Sequence, residues 1–190
     1  ELEQGFELSL RSISRAVELI EGFKLIAVDS VVDDARTLNV HDYLADIIRT
    51  LQPKAKQAQV NLKLICAKDI IITSYPGAIA QITNNLIINS LVHAFAELND
   101  GSGEVTIQVK ALTESIEISY GDNGCNLNEE TKAQLFEPFY TTKRGQGGSG
   151  LGAHIVYNLV TQKLKGSIEL LTEQAQGKTF KISIPTNIKL

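Results

Sequence analysis

Residues 74–97 read SYPGAIAQITNNLIINSLVHAFAE, and this stretch decides how the rest of the chain is arranged. Four uncharged polar residues recur at intervals of four, which places them in one row along an α-helix; they are Gln81, Asn85, Asn89 and His93. Apolar residues fill the other faces, so the helix is predicted to be buried over most of its circumference. A buried row of amides needs hydrogen-bond partners, which are either other side chains or a ligand.

The carboxamide oxygens of Asn85 and Asn89, one turn apart, also suit a hard cation. Mg²⁺ prefers oxygen ligands, keeps several waters and usually shares its coordination shell with phosphates. From this helix alone the structural interpretation is favoured. The sequence that follows reverses this preference.

The composition is that of a globular chain with a full hydrophobic core, because its 190 residues are 43% hydrophobic. A net charge of -4 predicts no broad basic surface, so nucleic acid is not expected as a partner. Every apolar run is short or interrupted by charge, so no signal peptide or membrane span is predicted. Cys66 and Cys125 are expected to be free thiols in a reducing cytoplasm. Because the chain contains no Met, it is expected to be part of a longer protein, whose membrane segments could lie outside it.

Apolar residues spaced seven apart in residues 2–30 predict a long helix with the seam of a bundle or coiled coil. This seam needs a partner helix, either in a second copy of the chain or in a preceding segment. Residues 32–36 break the pattern and are predicted to form a linker.

From residue 37 onward, periodicity predicts strands at 37–40, 60–67, 70–73, 104–111, 115–120, 167–172 and 179–185, and helices at 41–59, 75–97, 129–136 and 150–165. Asn39 is expected to cap the first of these helices, and Pro53 to end or kink it near Gln52. Residues 123–149 are too long and too mixed for a simple connector, which favours a functional role. The order predicts an α+β fold with one mixed, mainly antiparallel sheet covered by helices on one face.

The glycine-rich stretch 145–152, GQGGSGLG, leads directly into a predicted helix. Glycines let the backbone approach a ligand, and a helix N-terminus offers unpaired N–H groups with partial positive charge, so the pattern indicates a phosphate site. A flexible surface loop is the alternative, because a glycine cluster alone is a weak signal.

Two further stretches also allow a structural and a functional interpretation. Asp122, Asn123 and Gly124 end a strand, where they form either a turn or a site in which Asp122 accepts a hydrogen bond from an exocyclic amine such as that of adenine. Residues 136–143, FEPFYTTK, either anchor a loop or hinge a lid from which Lys143 and Arg144 reach phosphates.

Taken together, these stretches resemble the ATP-binding catalytic domain of bacterial sensor histidine kinases, in the superfamily that shares the Bergerat nucleotide fold. The similarity lies in an N box at 84–95 (NNLIINSLVHAF), a first glycine box at 122–126 (DNGCN), a phenylalanine box at 136–143, a second glycine box at 147–153 (GGSGLGA) and a closing strand at 177–185 (GKTFKISIP). It covers about residues 38–186, and five motifs in the family's order are far more specific than any one of them.

The resemblance implies a two-layer α/β sandwich, preceded by a long N-terminal helix, that binds ATP and Mg²⁺ under a mobile lid and passes the γ-phosphoryl group to a histidine. Residues 1–36 would be the second helix of the dimerisation and phosphoacceptor hairpin with its linker, and residues 37–190 the ATP-binding catalytic domain. The implied partners are a second copy of the chain, through the N-terminal helix, and the receiver domain of a response regulator. The implied location is the cytoplasm, or the cytoplasmic part of a membrane-bound sensor.

The resemblance also assigns individual residues. Asn89 would hold Mg²⁺, with Asn85 as the second candidate; Lys143 would contact the phosphates, Asp122 would select adenine, and Thr179 would stand near Asp122. The implied nucleotide-binding set is Asn85, Asn89, His93, Asp122, Gly124, Lys143, Gly148, Ser149, Gly150, Leu151, Gly152 and Thr179, of which Asn85, Asn89 and Lys143 would be catalytic. His93 has an alternative interpretation as a packed imidazole bonded to backbone, and His154 is expected to be structural.

Three features of the chain qualify the resemblance. Asn126 stands where the first glycine box normally ends in Gly, which is the only support for a degenerate, non-enzymatic module. None of the three histidines has the context of the phosphoacceptor, so the chain is expected to bind nucleotide without phosphorylating itself. Asn85 stands where the hydrolytic members carry a Glu that activates water, which favours a kinase over an ATPase.

Overall fold

The computed structural model describes residues 34–95, 101–142, 150–171 and 177–188. The predicted N-terminal helix lies outside the described residues, as do the first two residues of the predicted linker. In chain order the elements are β1 (Arg36–Asn39), α1 (Val40–Gln57), β2 (Val60–Ile65), β3 (Ile71–Ser74), α2 (Pro76–Asn89), β4 (Gly103–Ala111), β5 (Ser115–Asp122), α3 (Glu129–Gln134), α4 (Gly152–Asn158), β6 (Ser167–Leu171) and β7 (Lys178–Pro185). Helices α2 and α4 each continue into one π-helical turn, at Ser90–Ala94 and Leu159–Lys163.

The main sheet has five strands in the order β2, β4, β5, β7, β6. Strands β2 and β4 are parallel, and the other neighbours are antiparallel, which confirms the mixed, mainly antiparallel sheet. The expectation of a single sheet is wrong, because β1 and β3 form a separate antiparallel pair. The second edge of β3 bonds instead to the chain after β7, through Thr73 N–H to Thr186 O (2.8 Å) and Ile188 N–H to Thr73 O (3.0 Å).

One face of the main sheet carries the helices. Along β4, the buried residues Val105, Ile107 and Val109 alternate with half-buried polar residues, as expected for a sheet with one face in the core. Tyr120 of β5 lies on the buried face, where its hydroxyl donates to the carbonyl oxygen of Leu86 in α2 (2.9 Å). The predicted two-layer α+β architecture is therefore confirmed.

Helix α1 begins as predicted, but it does not end at the proline where the sequence suggested that it could end. Asn39 caps it, since the Asn39 side chain accepts from the Asp42 N–H (3.0 Å). Pro53 lies inside the helix, which continues to Gln57, so the helix does not end near Gln52. Leu51 and Ala55, one turn apart on either side of Pro53, are both buried. The burial of these two side chains offsets the stability that is lost because a proline removes one backbone hydrogen bond.

The predicted helix over residues 75–97 is regular only as far as Asn89. Beyond this residue the backbone widens into the π-helical turn Ser90–Ala94, so His93 does not continue the regular α-helical row of Gln81, Asn85 and Asn89. Such turns are rare and often occur at functional sites. No helix among the described residues is long and apolar enough to cross a membrane.

Candidate functional site

Four separate segments meet at one end of the main sheet. Strand β5 ends there with Asp122, and its antiparallel neighbour β7 begins there with Lys178, the cross-strand partner of Asp122. The π-helical turn after α2 reaches the same end, because Ser90 is bonded to Asp122. The first residue of α4, Gly152, packs on the carboxamides of α2. The structure thus brings together the N box, both glycine boxes and the closing strand.

The side chains of Asn85 and Asn89 converge beside Gly152. A Cβ atom built on Gly152 would lie 3.0 Å from Asn89 Oδ1 and 3.5 Å from Asn85 Oδ1, so both amide oxygens lie close to one point. The Asn85 Nδ2 donates to the carbonyl oxygen of Gln81 (2.9 Å), which leaves its Oδ1 as the atom for a ligand. Two convergent, half-buried amide oxygens can hold a hard cation.

The backbone just before α4 is held in a conformation that favours glycine. Gly150 has φ +70°, and a Cβ atom there would lie 2.5 Å from the carbonyl carbon of Phe139. Leu151 is buried in the core. The second glycine box therefore packs tightly against the phenylalanine box. Lys143, Gly148 and Ser149 lie outside the described residues.

Asp122 is a fully buried carboxylate within a polar network. Its Oδ2 accepts from Ser90 Oγ (2.5 Å) and from Lys178 Nζ (2.8 Å), and its Oδ1 accepts from the Gly124 N–H (3.2 Å). Tyr120 shares its hydroxyl proton between Leu86 O and Ser90 Oγ (2.8 Å). Burial raises the pKa of Tyr120, so this phenol remains a donor. An ionised carboxylate is tolerated in an interior only when it is paired in this way.

Gly124 fixes the turn after β5 against the π-helical turn of α2. A Cβ atom on Gly124 would lie 2.5 Å from Ala94 Cβ and 2.6 Å from Ala94 O, so no larger residue fits. The N–H of Cys125 donates to the same carbonyl oxygen (3.0 Å). This close approach holds Asp122 in position relative to Asn89.

The register of β7 differs from the sequence-based expectation for the closing strand. Thr179 pairs with Gly121, whereas the residue opposite Asp122 is Lys178. Because partners across an antiparallel ladder lie on the same face, the side chain of Thr179 lies on the other face from Asp122. The residue whose side chain lies beside Asp122 is therefore Lys178. Nucleotide binding by Thr179 remains a prediction.

Sequence reasoning missed both Lys178 and Ser90. A signal for Lys178 was available, because it is in phase with Phe180, Ile182 and Ile184, all buried on β7. A lysine on the buried face of a strand requires a buried anion. Ser90 gave no such signal, since its contact with Asp122 depends on the π-helical turn.

Of the two histidines near the site, His154 has a structural environment, as expected. Its Nδ1 lies 2.9 Å from Phe136 O, and its Nε2 lies 3.0 Å from Asn158 Nδ2. The contact with Phe136 joins α4 to the phenylalanine box, and the contact with Asn158 lies within α4. His93 is half-buried in the π-helical turn, and both of its interpretations remain predictions.

A cavity of about 160 Å³ adjoins Lys178 at this end of the sheet. Three leucines and two lysines are among the residues that line it; the lining residues are Asn126, Leu127, Lys132, Leu170, Leu171, Gly177 and Lys178. Asp122 does not line it. Asn126, the departure in the first glycine box, thus lies on the wall of a cavity.

The family follows from a comparison with known protein families. Residues 75–188, more than half of the chain, match the profile described as histidine kinase-, DNA gyrase B- and HSP90-like ATPase. The chain belongs to this ATPase family. The matched span contains every described residue of the site, from Asn85 to Lys178.

Individual relatives and solved structures agree with this result. Sporulation kinase E of Bacillus subtilis is 29% identical over 182 residues, which are 95% of this chain and 23% of that protein. The fold is that of full-length ShkA in complex with AMPPNP (TM-score 0.76, 18% identity, 100% of this chain and 40% of that one). It is also that of histidine kinase ThkA in complex with the response regulator protein TrrA (TM-score 0.73, 19% identity, 98% and 52%).

These comparisons confirm the resemblance to the ATP-binding domain of sensor histidine kinases and the Bergerat fold that it implies. The chain spans about a quarter to a third of the length of the first curated relatives it matches. ATP binding follows from membership of the ATPase family.

Proposed function

We propose that this chain is the catalytic part of a two-component sensor histidine kinase. It binds ATP with Mg²⁺ at the end of the main sheet and transfers the γ-phosphoryl group to a histidine outside this chain. The observation that carries the proposal is the convergence of two amide oxygens, on Asn85 and Asn89, at the same sheet end as the buried carboxylate of Asp122. The division into a hairpin helix at 1–36 and a catalytic domain at 37–190 is part of the proposal.

The described residues fit a magnesium ion that is shared with phosphates. No group of three or more His, Cys, Asp or Glu residues in the described part of the chain could hold a metal ion by itself. Asn89 would therefore supply a protein ligand, with Asn85 as the second, and water and phosphate oxygens would supply the others. When bound, Mg²⁺ neutralises the charge on the β- and γ-phosphate oxygens.

The chain's own groups position the nucleotide. Asp122 accepts a hydrogen bond from the base, and the glycine backbone at Gly150 and Gly152 lets the phosphates approach α2. Lys143, Gly148 and Ser149 complete the phosphate contacts in this proposal, and Leu151 anchors the turn in the core. Phosphoryl transfer needs little more than such positioning and charge neutralisation.

Transfer to histidine is favoured over hydrolysis by the chemistry of α2. The residues of α2 that face Gly152 are both carboxamides, Asn85 and Asn89. A carboxamide does not take a proton from water at neutral pH, so water lacks a general base on this helix. A protein histidine is itself a nucleophile, so transfer to it does not require that water be activated.

Partners and location follow from the same proposal. ThkA was solved with a response regulator protein, and we extend a receiver-domain partner to this chain by that likeness. The heptad seam of residues 2–30 is proposed to form a homodimer in the parent protein. A cytoplasmic site of action fits the free thiols of Cys66 and Cys125.

Titration calorimetry with ATP and Mg²⁺ tests the binding step. Asn89→Ala should lower the affinity in the presence of Mg²⁺ by at least about tenfold, because it removes a metal ligand. The matched control is Asn84→Ala, which truncates an exposed amide on the same helix and should bind as the wild type does. Equal affinities of Asn89→Ala and the wild type would show that the metal assignment is wrong.

Phosphorylation of the parent protein tests the transfer step. With radiolabelled ATP, the histidine of the parent should acquire an acid-labile, base-stable label that Asn89→Ala abolishes and Asn84→Ala retains. Steady phosphate release without this label would indicate an ATPase. No heat on addition of ATP would indicate a degenerate module.

A further inference from the structure

We propose that the ion pair between Lys178 and Asp122 is an autoinhibitory contact, which keeps the base site closed until Lys178 releases the carboxylate. The inference rests on the proposed function, because it requires a nucleotide whose base bonds to Asp122. It deepens that function by naming a contact that regulates the same site. The structure then describes the closed form of the domain.

The side chain of Asp122 offers no surface to a ligand in this conformation. Its exposed fraction is 0%. Its Oδ2 accepts from Ser90 Oγ (2.5 Å) and Lys178 Nζ (2.8 Å), and its Oδ1 accepts from the Gly124 N–H (3.2 Å). A base can donate to a carboxylate only from a distance of about 3 Å, which requires an accessible oxygen. At least one group that covers Asp122 must therefore move before a base can bond to it.

Two of the three partners of Asp122 are held by the packing around them. Ser90 is fully buried, and its hydroxyl also accepts from the Tyr120 hydroxyl (2.8 Å). Gly124 packs on the π-helical turn, since a Cβ atom on it would lie 2.5 Å from Ala94 Cβ. Moving either partner would separate the π-helical turn from the end of the sheet. Neither is therefore the group that opens the site.

Lys178 can leave Asp122 by rotation of its side chain alone. Its ammonium group ends a flexible four-carbon stem, and the side chain is 9% exposed. Lys178 borders the cavity of about 160 Å³, which provides space for another rotamer. The backbone stays in place, because a Cβ atom on the preceding Gly177 would overlap the carbonyl oxygen of Asp122. Release of Lys178 thus exposes the carboxylate and leaves the ladder between β5 and β7 intact.

The contact lowers the apparent affinity for ligands that carry a base. When only a fraction of the molecules is open, the apparent dissociation constant is the intrinsic constant divided by that fraction. A base compensates for opening, because its donor replaces the ammonium group at Asp122. Phosphates are proposed to bind at Asn89 and Gly152, so a ligand without a base binds whether Lys178 is released or not.

Titration calorimetry with Mg²⁺ and either ATP or inorganic tripolyphosphate tests the inference. Lys178→Met keeps the length of the side chain without its charge, so it should bind ATP at least about tenfold more tightly than the wild type and tripolyphosphate equally well. Lys178→Gln keeps a neutral donor and should show a smaller gain for ATP. Lys181→Met is the matched control, because Lys181 also joins β7 to β5, through Glu117 (2.8 Å), but on the other face of the sheet. It should bind both ligands as the wild type does.

The inference is overturned if Lys178→Met binds ATP no more tightly than the wild type, or if its affinity for tripolyphosphate rises by the same factor. An equal gain in Lys181→Met would also overturn it. Circular dichroism checks the fold of each variant, and if Lys178→Met does not fold, Lys178→Gln decides by the same criteria. If neither the wild type nor a folded Lys178 variant binds ATP, the proposed function fails as well, whereas equal ATP affinities overturn this inference alone.

Discussion

At the scale of single residues, the main feature of the site is a carboxylate that is fully buried among polar partners. Asp122 is surrounded by one cation, one hydroxyl and one backbone N–H, from Lys178, Ser90 and Gly124. Removal of a single partner of a buried charge typically destabilises a protein by about 3–5 kcal/mol. Lys178 and Ser90 therefore stabilise the Asp122 carboxylate, which is proposed to bind the base, although sequence reasoning selected only Asp122 and Gly124.

Tyr120, which supports Ser90, predicts how the stability of the domain depends on pH. Burial raises the pKa of its phenol, so the folded state holds this proton more tightly than the unfolded state does. The resulting stabilisation is present in full below the unfolded pKa of about 10 and is lost as the pH rises above it. The free energy of unfolding of the wild type should fall by up to about 1.4 kcal/mol per pH unit above about pH 10 through this group.

Urea unfolding at about pH 8 and about pH 11, on either side of the unfolded pKa, checks this prediction. Tyr120→Phe lacks the titrating phenol, so the variant should lose less stability than the wild type between the two pH values. Tyr157→Phe, which removes a phenol that is 40% exposed, is the matched control and should follow the wild type. Parallel losses in the wild type and Tyr120→Phe would contradict the assignment.

At the scale of elements, two glycines hold helices in contact with the site in different ways. A Cβ atom on Gly124 would meet the backbone of Ala94 at 2.6 Å, whereas on Gly152 it would meet the end of the Asn89 side chain at 3.0 Å. Gly124→Ala should therefore lower the free energy of unfolding by about 1–3 kcal/mol, because the backbone contact leaves no room. Gly152→Ala should leave stability nearly unchanged but weaken ATP and Mg²⁺ binding by about tenfold, because it displaces the Asn89 amide.

Each glycine variant is the control for the other. Urea denaturation measures stability, and titration calorimetry with ATP and Mg²⁺ measures binding. A stable Gly124→Ala, or a Gly152→Ala with wild-type affinity, would contradict the packing described at the respective glycine.

The elements also show what the sequence could predict. Local periodicity predicts strands β4 and β5 and the 14 residues of helix α2, because the pattern of each element lies within one continuous stretch of sequence. Asn85, Asn89 and Asp122 could be selected because polar residues within apolar stretches need partners. The partnership of Lys178 with Asp122 depends on strand register, and the separate pairing of β1 with β3 depends on which edges are free after folding. No local pattern encodes either of these.

At the scale of the whole molecule, the two cysteines lie near opposite ends of the main sheet. Cys125 follows Gly124 at the site and is exposed, whereas Cys66 follows the last residue of β2, away from the site end. Burial, and then the charge of Asp69, raises the pKa of the Cys66 thiol. Saturating ATP and Mg²⁺ should slow the alkylation of Cys125 and leave that of Cys66 unchanged.

The rates are measured by mass spectrometry after timed exposure to iodoacetamide. At a nucleotide concentration about ten times the dissociation constant, about a tenth of the molecules are free, so Cys125 should react about tenfold more slowly. Cys66 is the internal control in the same molecule. Equal slowing at both cysteines would indicate a general change in stability, and no slowing at Cys125 would place the nucleotide elsewhere.

Strand β7 is the last of the described strands in sequence but lies inside the sheet, between β5 and β6. During synthesis the chain emerges from its N-terminal end, so β6 leaves the ribosome before the strand that will hold it in the sheet. The same late strand carries Lys178, the cation beside Asp122. A nascent chain that stops short of β7 would therefore expose the edges of β5 and β6 that β7 pairs, together with the second edge of β3, and would leave the Asp122 carboxylate without its cation.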